Sequence, residues 1–172
     1  ERDENRFYNS LYHFSPDGLI NARYRKIHPF SFAEEHKSFF SSDETVITKI
    51  NGLKIGLSIC YDLRFPELFR YYGKAKCEII INIANWPVQR IEFWKLFMRA
   101  RAAENLCFSI GVNRVGDDPF VSYNGKSCIF DPLGKEIFMS ADNTGIYTVE
   151  IDPQKVNEVR NKYPFLEDIK LI

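Results

Sequence analysis

Strand–helix–strand alternation across residues 53–115, flanked by hairpins, predicts an α/β or α+β protein with a mixed sheet. Three local observations carry that reading. The β-prone runs "TVITKI" and "LKIGLSIC" are separated by Asn51-Gly52, the strongest short hairpin signal. "EIIINIAN" is a continuous apolar run of strand length, as a strand buried on both faces requires. "RIEFWKLFMRARAAENL" is rich in helix formers and long enough for about four turns.

The remaining elements follow in order. "RFYNSLYHF" (6–14) reads as a strand, "SPDG" (15–18) as a turn with Pro, Asp and Gly in their favoured places, and "LINARYRKI" as the returning strand. "HPFSFAEEHKSFFSSDE" is a long connection with one helical turn at 33–38. "FPELFRYYGKAKC" predicts a helix begun near Pro66 and Glu67 and stopped at Gly73. "CFSIGVNRV" is a second buried strand, and "GDDPFVSYNG" a loop and turn. "KSCIFDP", "LGKEIFMSA" and "GIYTVEID" predict a strand meander, and "PQKVNEVRNKYPF" a short helix before the tail.

Composition limits the function classes. The 172 residues suffice for one domain with a real core. Lys+Arg and Asp+Glu are equal at 23 each, and no Lys/Arg-rich stripe appears, which argues against nucleic acid as a partner. No apolar run approaches the ~20 residues of a membrane helix, and no signal-peptide pattern is present. Cys60, Cys77, Cys107 and Cys128 form no CxxC and no zinc spacing. The last three sit in or beside apolar runs, the expectation for buried thiols in a reduced, cytoplasmic protein. There is no Gly-rich phosphate loop, and no metal or organic cofactor is expected.

Cys60 stands apart. It ends a buried strand, and "YDLRFPELFR" follows. Strand, thiol, polar cluster and helix in that order describe a nucleophile elbow. Helix-start amides and a nearby cation favour thiolate over a thiol whose free pKa is about 8.5. Each candidate also has a structural reading. A strand-ending Cys is common in cores, and a strand-ending Lys26 is usually a solvated cation. His28 is a structural hydrogen-bonder, and Glu34 and Glu35 are a surface acid pair. Asp62 and Arg64 are expected to hold the elbow by charge-assisted hydrogen bonds. A cysteine protease is disfavoured, because His13, His28 and His36 lie outside any Cys–His motif.

Together, "RYRKIHPF", "GLSICYDLRFPELFR", "NIANWP", "FMRARAAENLCFSIGVNRVG" and "SCIFDPLGKEI" resemble the nitrilase, or carbon–nitrogen hydrolase, superfamily, in order from about residue 6 to 165. "CYDLRFPE", "ANWP", "RARAAEN" and "GVNRVG" look most like its omega-amidase branch, whose members hydrolyse the terminal amide of 2-oxo acid amides such as 2-oxoglutaramate. The resemblance implies a four-layer α-β-β-α sandwich and a Glu–Lys–Cys triad. Cys60 matches the nucleophile, Lys26 the lysine that stabilises the oxyanion, and the Tyr61 backbone N–H the second oxyanion donor. Glu35, with Glu34 as the alternative, matches a second glutamate that positions the lysine or substrate, and Asn85 and Trp86 match the pocket wall.

One expected part has no match. The general-base glutamate lies well before the lysine in the family, and none of the early acids sits in its motif. The resemblance therefore makes residues 1–172 the C-terminal two-thirds of one hydrolase domain. It implies a thioester route to acid and ammonia, a small amide substrate and a homodimer or larger homo-oligomer. The alternatives are an amidase for N-carbamoyl amines or deaminated glutathione, and a catalytically incomplete fragment or assembly subunit.

Overall fold

The computed structural model describes residues 1–171. Two short strands, β1 (Arg2–Asp3) and β2 (Arg6–Phe7), pair antiparallel ahead of the first hairpin. That hairpin joins β3 (Ser10–Phe14) to β4 (Ile20–Arg25). A second joins β5 (Ile47–Ile50) to β6 (Leu53–Ile59). Its turn residues Asn51 and Gly52 have φ of +50° and +84°, the left-handed pair that a tight two-residue hairpin demands. Then come α1 (Pro66–Lys74), β7 (Ile79–Ala84), α2 (Ile91–Asn105) and β8 (Phe108–Asn113). The short pair β9 (Val115–Asp117) and β10 (Ser122–Asn124) follows, then β11 (Cys128–Phe130), β12 (Glu136–Met139) and α3 (Gln154–Lys162).

Six strands form one mixed sheet in the order β12-β11-β8-β7-β6-β5, with β6, β7 and β8 parallel and the flanking pairs antiparallel. Alternation across the pleat sends neighbouring residues to opposite faces. Ile80 meets α1 and α2 through Phe69, Tyr72, Trp94 and Met98. Ile79, Leu57 and Phe108 meet Leu11 and Tyr24 of the first hairpin and Val156 of α3. Side chains such as Phe69 and Trp94 are fully buried, worth about 1.5–3 kcal/mol each. The protein is α/β. Of the four layers the resemblance implies, the described residues supply one helical layer, the sheet against it, and a hairpin with α3 over the second face. Among the described residues, no helix is long and apolar enough to cross a membrane.

Three expectations need correction. "GIYTVEID" is not a strand: it pairs in no ladder among the described residues, although Tyr147 packs on Phe138 of β12, and Ile146 is fully exposed. A β-prone pattern yields a ladder only where a partner offers hydrogen bonds. "GDDPFVSYNG" contains part of a short hairpin, with Tyr123 opposite Gly116. Gly73 does not stop α1. The helix ends after Lys74, and Lys76 takes the left-handed position at φ +61°.

Gly73 instead serves close packing, because a β-carbon there would lie 2.5 Å from Asn105 Oδ1. Gly73→Ala is expected to destabilise by about 1–3 kcal/mol. The readout is a lower urea midpoint at unchanged slope. A midpoint at or above wild type, as Ala's helix propensity alone would give, contradicts the packing argument. The tail packs partly on its own domain, with Leu166 against Leu106 and Val159.

Candidate active site

The carboxyl ends of the parallel strands β6, β7 and β8 open a crevice, the place where α/β sheets present functional groups. Lys26, Glu35, Cys60, Asn85, Asn113 and Arg114 line a cleft of about 520 Å³ there. A neighbouring groove of about 450 Å³ over β8, β11 and β12 contains none of Lys26, Glu35 or Cys60.

Cys60 is the first residue after β6. Its φ of +46° is left-handed, a strained geometry that costs a β-branched or ordinary side chain about 1–2 kcal/mol. That turn throws the thiol off the sheet, toward the Asn85 carbonyl oxygen 3.9 Å away. A single 3-10 turn (Cys60–Arg64) follows, and α1 starts only at Pro66. The thiol therefore sits at the 3-10 turn and not at the start of an α-helix, as the sequence had suggested. Nor is thiolate favoured. Burial pushes the Cys60 thiol above its ordinary value, outweighing the opposing pull of the Lys26 ammonium. Tyr61 is in the first turn, where N–H groups lack intrahelical acceptors. Its ring packs against Phe30 and Phe65 at 4.7 and 5.2 Å.

Lys26 follows β4 and is only 3% exposed, so it is not a solvated cation. Its Nζ lies 2.6 Å from Glu35 Oε2. Glu35 also accepts from Asn9 Nδ2 at 3.0 Å and the Phe30 N–H at 2.6 Å. Burial works against its charge, but the hydrogen bonds from Lys26, Asn9 and Phe30 win and hold the carboxyl below the ordinary carboxylate range. Glu34 points elsewhere. It is mostly exposed and pairs with Lys37.

Asp62 does brace the elbow, whereas Arg64 does not. The Asp62 carboxylate accepts from the Ile59 N–H at 2.9 Å and Tyr24 O–H at 2.7 Å, and from His28. Arg64 has no carboxylate within ion-pair distance among the described residues. It lies over the Trp86, Phe93 and Phe97 rings at 5.3–5.5 Å, a cation–π arrangement. Arg101 of α2 instead ties the turn down, with Nη2 donating to the Leu63 carbonyl at 2.8 Å.

Asn85 lines the main cleft, but Trp86 does not. Trp86 is buried, donates Nε1–H to the Arg90 carbonyl at 2.8 Å, and borders a recess of about 40 Å³ with Cys60, Tyr61, Arg64 and Arg90. Sequence reasoning missed Asn9, Asn113, Arg90 and Arg114. Asn113 fixes the strand ends, accepting from the Trp86 N–H at 2.7 Å and donating to the Gly125 carbonyl at 2.6 Å. "NIAN" and "GVN", both ending in Asn at parallel strand ends, carried that signal. Asn9 had none. Among the described residues no histidine lines the cleft or the recess around the thiol: His13 meets Thr48 and His28 meets Asp62. Among the described residues no group of three or more His, Cys, Asp or Glu side chains gathers as metal ligands.

Known proteins resemble this chain in sequence and in fold. The 2-oxoglutaramate amidase of Bacillus subtilis is 36% identical over 163 residues, covering 95% of this chain and 63% of its own. Omega-amidase NIT2 of Mus musculus is 30% identical, covering 97% of this chain and 64% of its own. The chain thus spans less than two thirds of the length of these relatives. A solved carbon–nitrogen hydrolase superfamily protein from Xanthomonas campestris, with an arsenic adduct in its active site, superposes with a TM-score of 0.94 at 33% identity. That superposition covers 99% of this chain and 67% of the solved one. Residues 1–161 match the carbon–nitrogen hydrolase family, and the chain belongs to it.

Proposed function

We propose that this protein is a cysteine-dependent amidohydrolase that cleaves the terminal amide of an anionic 2-oxo acid amide, such as 2-oxoglutaramate, to the 2-oxo acid and ammonia. The observation that carries the reading is the convergence of the Cys60 thiol and the Lys26–Glu35 pair in one cleft. The Cys60 sulfur attacks the amide carbon. The carbonyl oxygen becomes negative and is met by the Lys26 ammonium and the Tyr61 N–H. One such donor is worth about 3–4 kcal/mol in the transition state. The proton that leaves the thiol is passed by the base to the amide nitrogen, collapse breaks the C–N bond and releases ammonia, and the thioester left behind is hydrolysed by water. Burial keeps the resting thiol protonated, so the proton must leave as sulfur attacks. Glu35, ionised and already accepting three hydrogen bonds, orients Lys26. The base is left to the glutamate that the resemblance places ahead of the hairpin.

Charge supports an anionic substrate. Arg64 and Arg90 border the recess behind Cys60, and neither has a carboxylate partner among the described residues. The similarity to the 2-oxoglutaramate amidase of Bacillus subtilis and to the mouse omega-amidase supports the same reading. The test is ammonia release by the intact protein from 2-oxoglutaramate, succinamate and neutral butyramide. The anionic amides are expected to be preferred. Arg64→Met should lower kcat/KM for them about 10–100-fold, the worth of a charge-assisted hydrogen bond, and leave butyramide nearly unchanged. No ammonia from any amide, with folded protein, would favour a binding or assembly subunit instead.

Exposed Phe93 and Leu96 on α2 and Tyr71 on α1 support a homodimer or larger assembly through the helical face, which sedimentation can check.

A further inference from the structure

Asp62 has a fully buried side chain whose two oxygens divide their partners between the two segments that carry the chemistry. Oδ1 accepts from the His28 backbone N–H at 2.9 Å and from His28 Nδ1 at 2.8 Å. Oδ2 accepts from the Tyr24 hydroxyl at 2.7 Å and the Ile59 N–H at 2.9 Å. Tyr24 and His28 stand two residues to either side of Lys26, and Ile59 immediately precedes Cys60. No Lys or Arg lies within ion-pair distance of Asp62 among the described residues. The His28 ring is stacked on Phe65 at 3.7 Å, so the residue that receives the carboxylate is itself fixed by the far end of the elbow.

We propose that Asp62, acting through His28, Tyr24 and Ile59, is a positioning residue that sets the separation between the Cys60 sulfur and the Lys26 ammonium. The inference rests on the amidase reading, since that separation matters only if both groups act on one carbonyl. A carboxylate suits the task because it is acceptor-only. Four donors converge on it, and two of them are backbone N–H groups that cannot reverse their direction. An asparagine amide must turn its NH₂ toward one of those backbone donors. The strand ends then shift, and a misplacement near 1 Å costs about 100-fold in rate.

The test pairs Asp62→Asn with wild type in the intact protein and reads two quantities. One is kcat and KM for 2-oxoglutaramate. The other is the rate of Cys60 alkylation by iodoacetamide at pH 7, which reads the thiol's access and ionisation and needs no carbonyl held between the sulfur and the ammonium. The expected result is a kcat about 100-fold lower, a KM changed by less than about threefold, and alkylation as fast as wild type or faster. Faster alkylation is reasonable because the Asp62 charge helps to hold the thiol protonated. His28→Asn, which keeps a donor for Oδ1, should retain much more of kcat than His28→Leu. A wild-type kcat in Asp62→Asn overturns the inference. So does a parallel fall of kcat, alkylation rate and melting temperature, which would mean scaffolding alone. If wild type releases no ammonia from any amide, the amidase reading fails, and this inference fails with it.

Discussion

Cys60→Ala is expected to abolish ammonia release, lowering kcat by about 10⁵–10⁶-fold, the loss seen when a covalent nucleophile is removed. Among the described residues lining the cleft there is no second thiol or hydroxyl to replace it. The substitution is mild for the fold. Alanine at φ +46° bears the same strain as cysteine, and the thiol's contact to the Asn85 carbonyl is long at 3.9 Å. Melting temperature should therefore stay close to wild type while activity vanishes, which separates chemistry from packing. Alkylation supplies the positive counterpart. Cys77, Cys107 and Cys128 are buried, and burial pushes their thiols up to about 11, 12 and 12. Cys60 reaches the cleft and has the Lys26 ammonium acting on it. Iodoacetamide at neutral pH should mark Cys60 alone in the folded protein, read by peptide mass, and activity should fall in step. Full turnover by Cys60→Ala, or label spread over all four thiols, would refute the role.

Much of this architecture was legible because the signals are local. Asn51-Gly52 must turn left-handed, so the β5–β6 hairpin follows from two residues. The run at 79–84 is apolar apart from Asn82, which is itself buried and donates to Ser58 Oγ, so it has no polar face to offer solvent and lies mid-sheet. Cys60 stood out less by its local pattern, since strand-ending thiols are common in cores, than by the resemblance of "GLSICYDLRFPELFR" and "RYRKIHPF" together to the hydrolase motifs. What stayed hidden depends on distant partners. Glu34 and Glu35 differ by one position, and only the left-handed Glu34 backbone turns one carboxylate to Lys26 and the other to Lys37. Arg64 is expected from sequence to hold the elbow, with Asp62, by charge-assisted hydrogen bonds. The aromatic faces of Trp86, Phe93 and Phe97, brought in by the β7–α2 connection and α2, took it instead. Gly73 illustrates a residue with two meanings: its freedom from a side chain serves turns and close contacts alike, and Asn105 lies 32 residues on in sequence. The thiol pKa was misjudged for the same reason, since burial is a property of the whole fold.

Lys26→Met should combine a catalytic loss with a stability loss, and the two can be separated. Removing the ammonium takes away one oxyanion donor, expected to lower kcat about 10²–10³-fold. It also strands the Glu35 carboxylate. Lys26 is 3% and Glu35 15% exposed at the side chain, and breaking such a pair from one side costs about 3–5 kcal/mol. Lys26→Met/Glu35→Gln removes the orphaned charge while leaving an oxygen for the Phe30 N–H. The double variant should regain most of the lost urea stability and none of the lost kcat. Acid titration gives an independent check. The Glu35 carboxyl is held below its ordinary value of 4.5, so its contribution is fully present above that pH. It is lost as pH falls through the lower folded value. In Lys26→Met one of the hydrogen bonds that lower this pKa is gone, so the acid-side loss of stability should become shallower. If the double variant recovers activity together with stability, the ammonium is a packing cation and the oxyanion role fails. If stability returns and turnover does not, Lys26 acts on the reacting carbonyl.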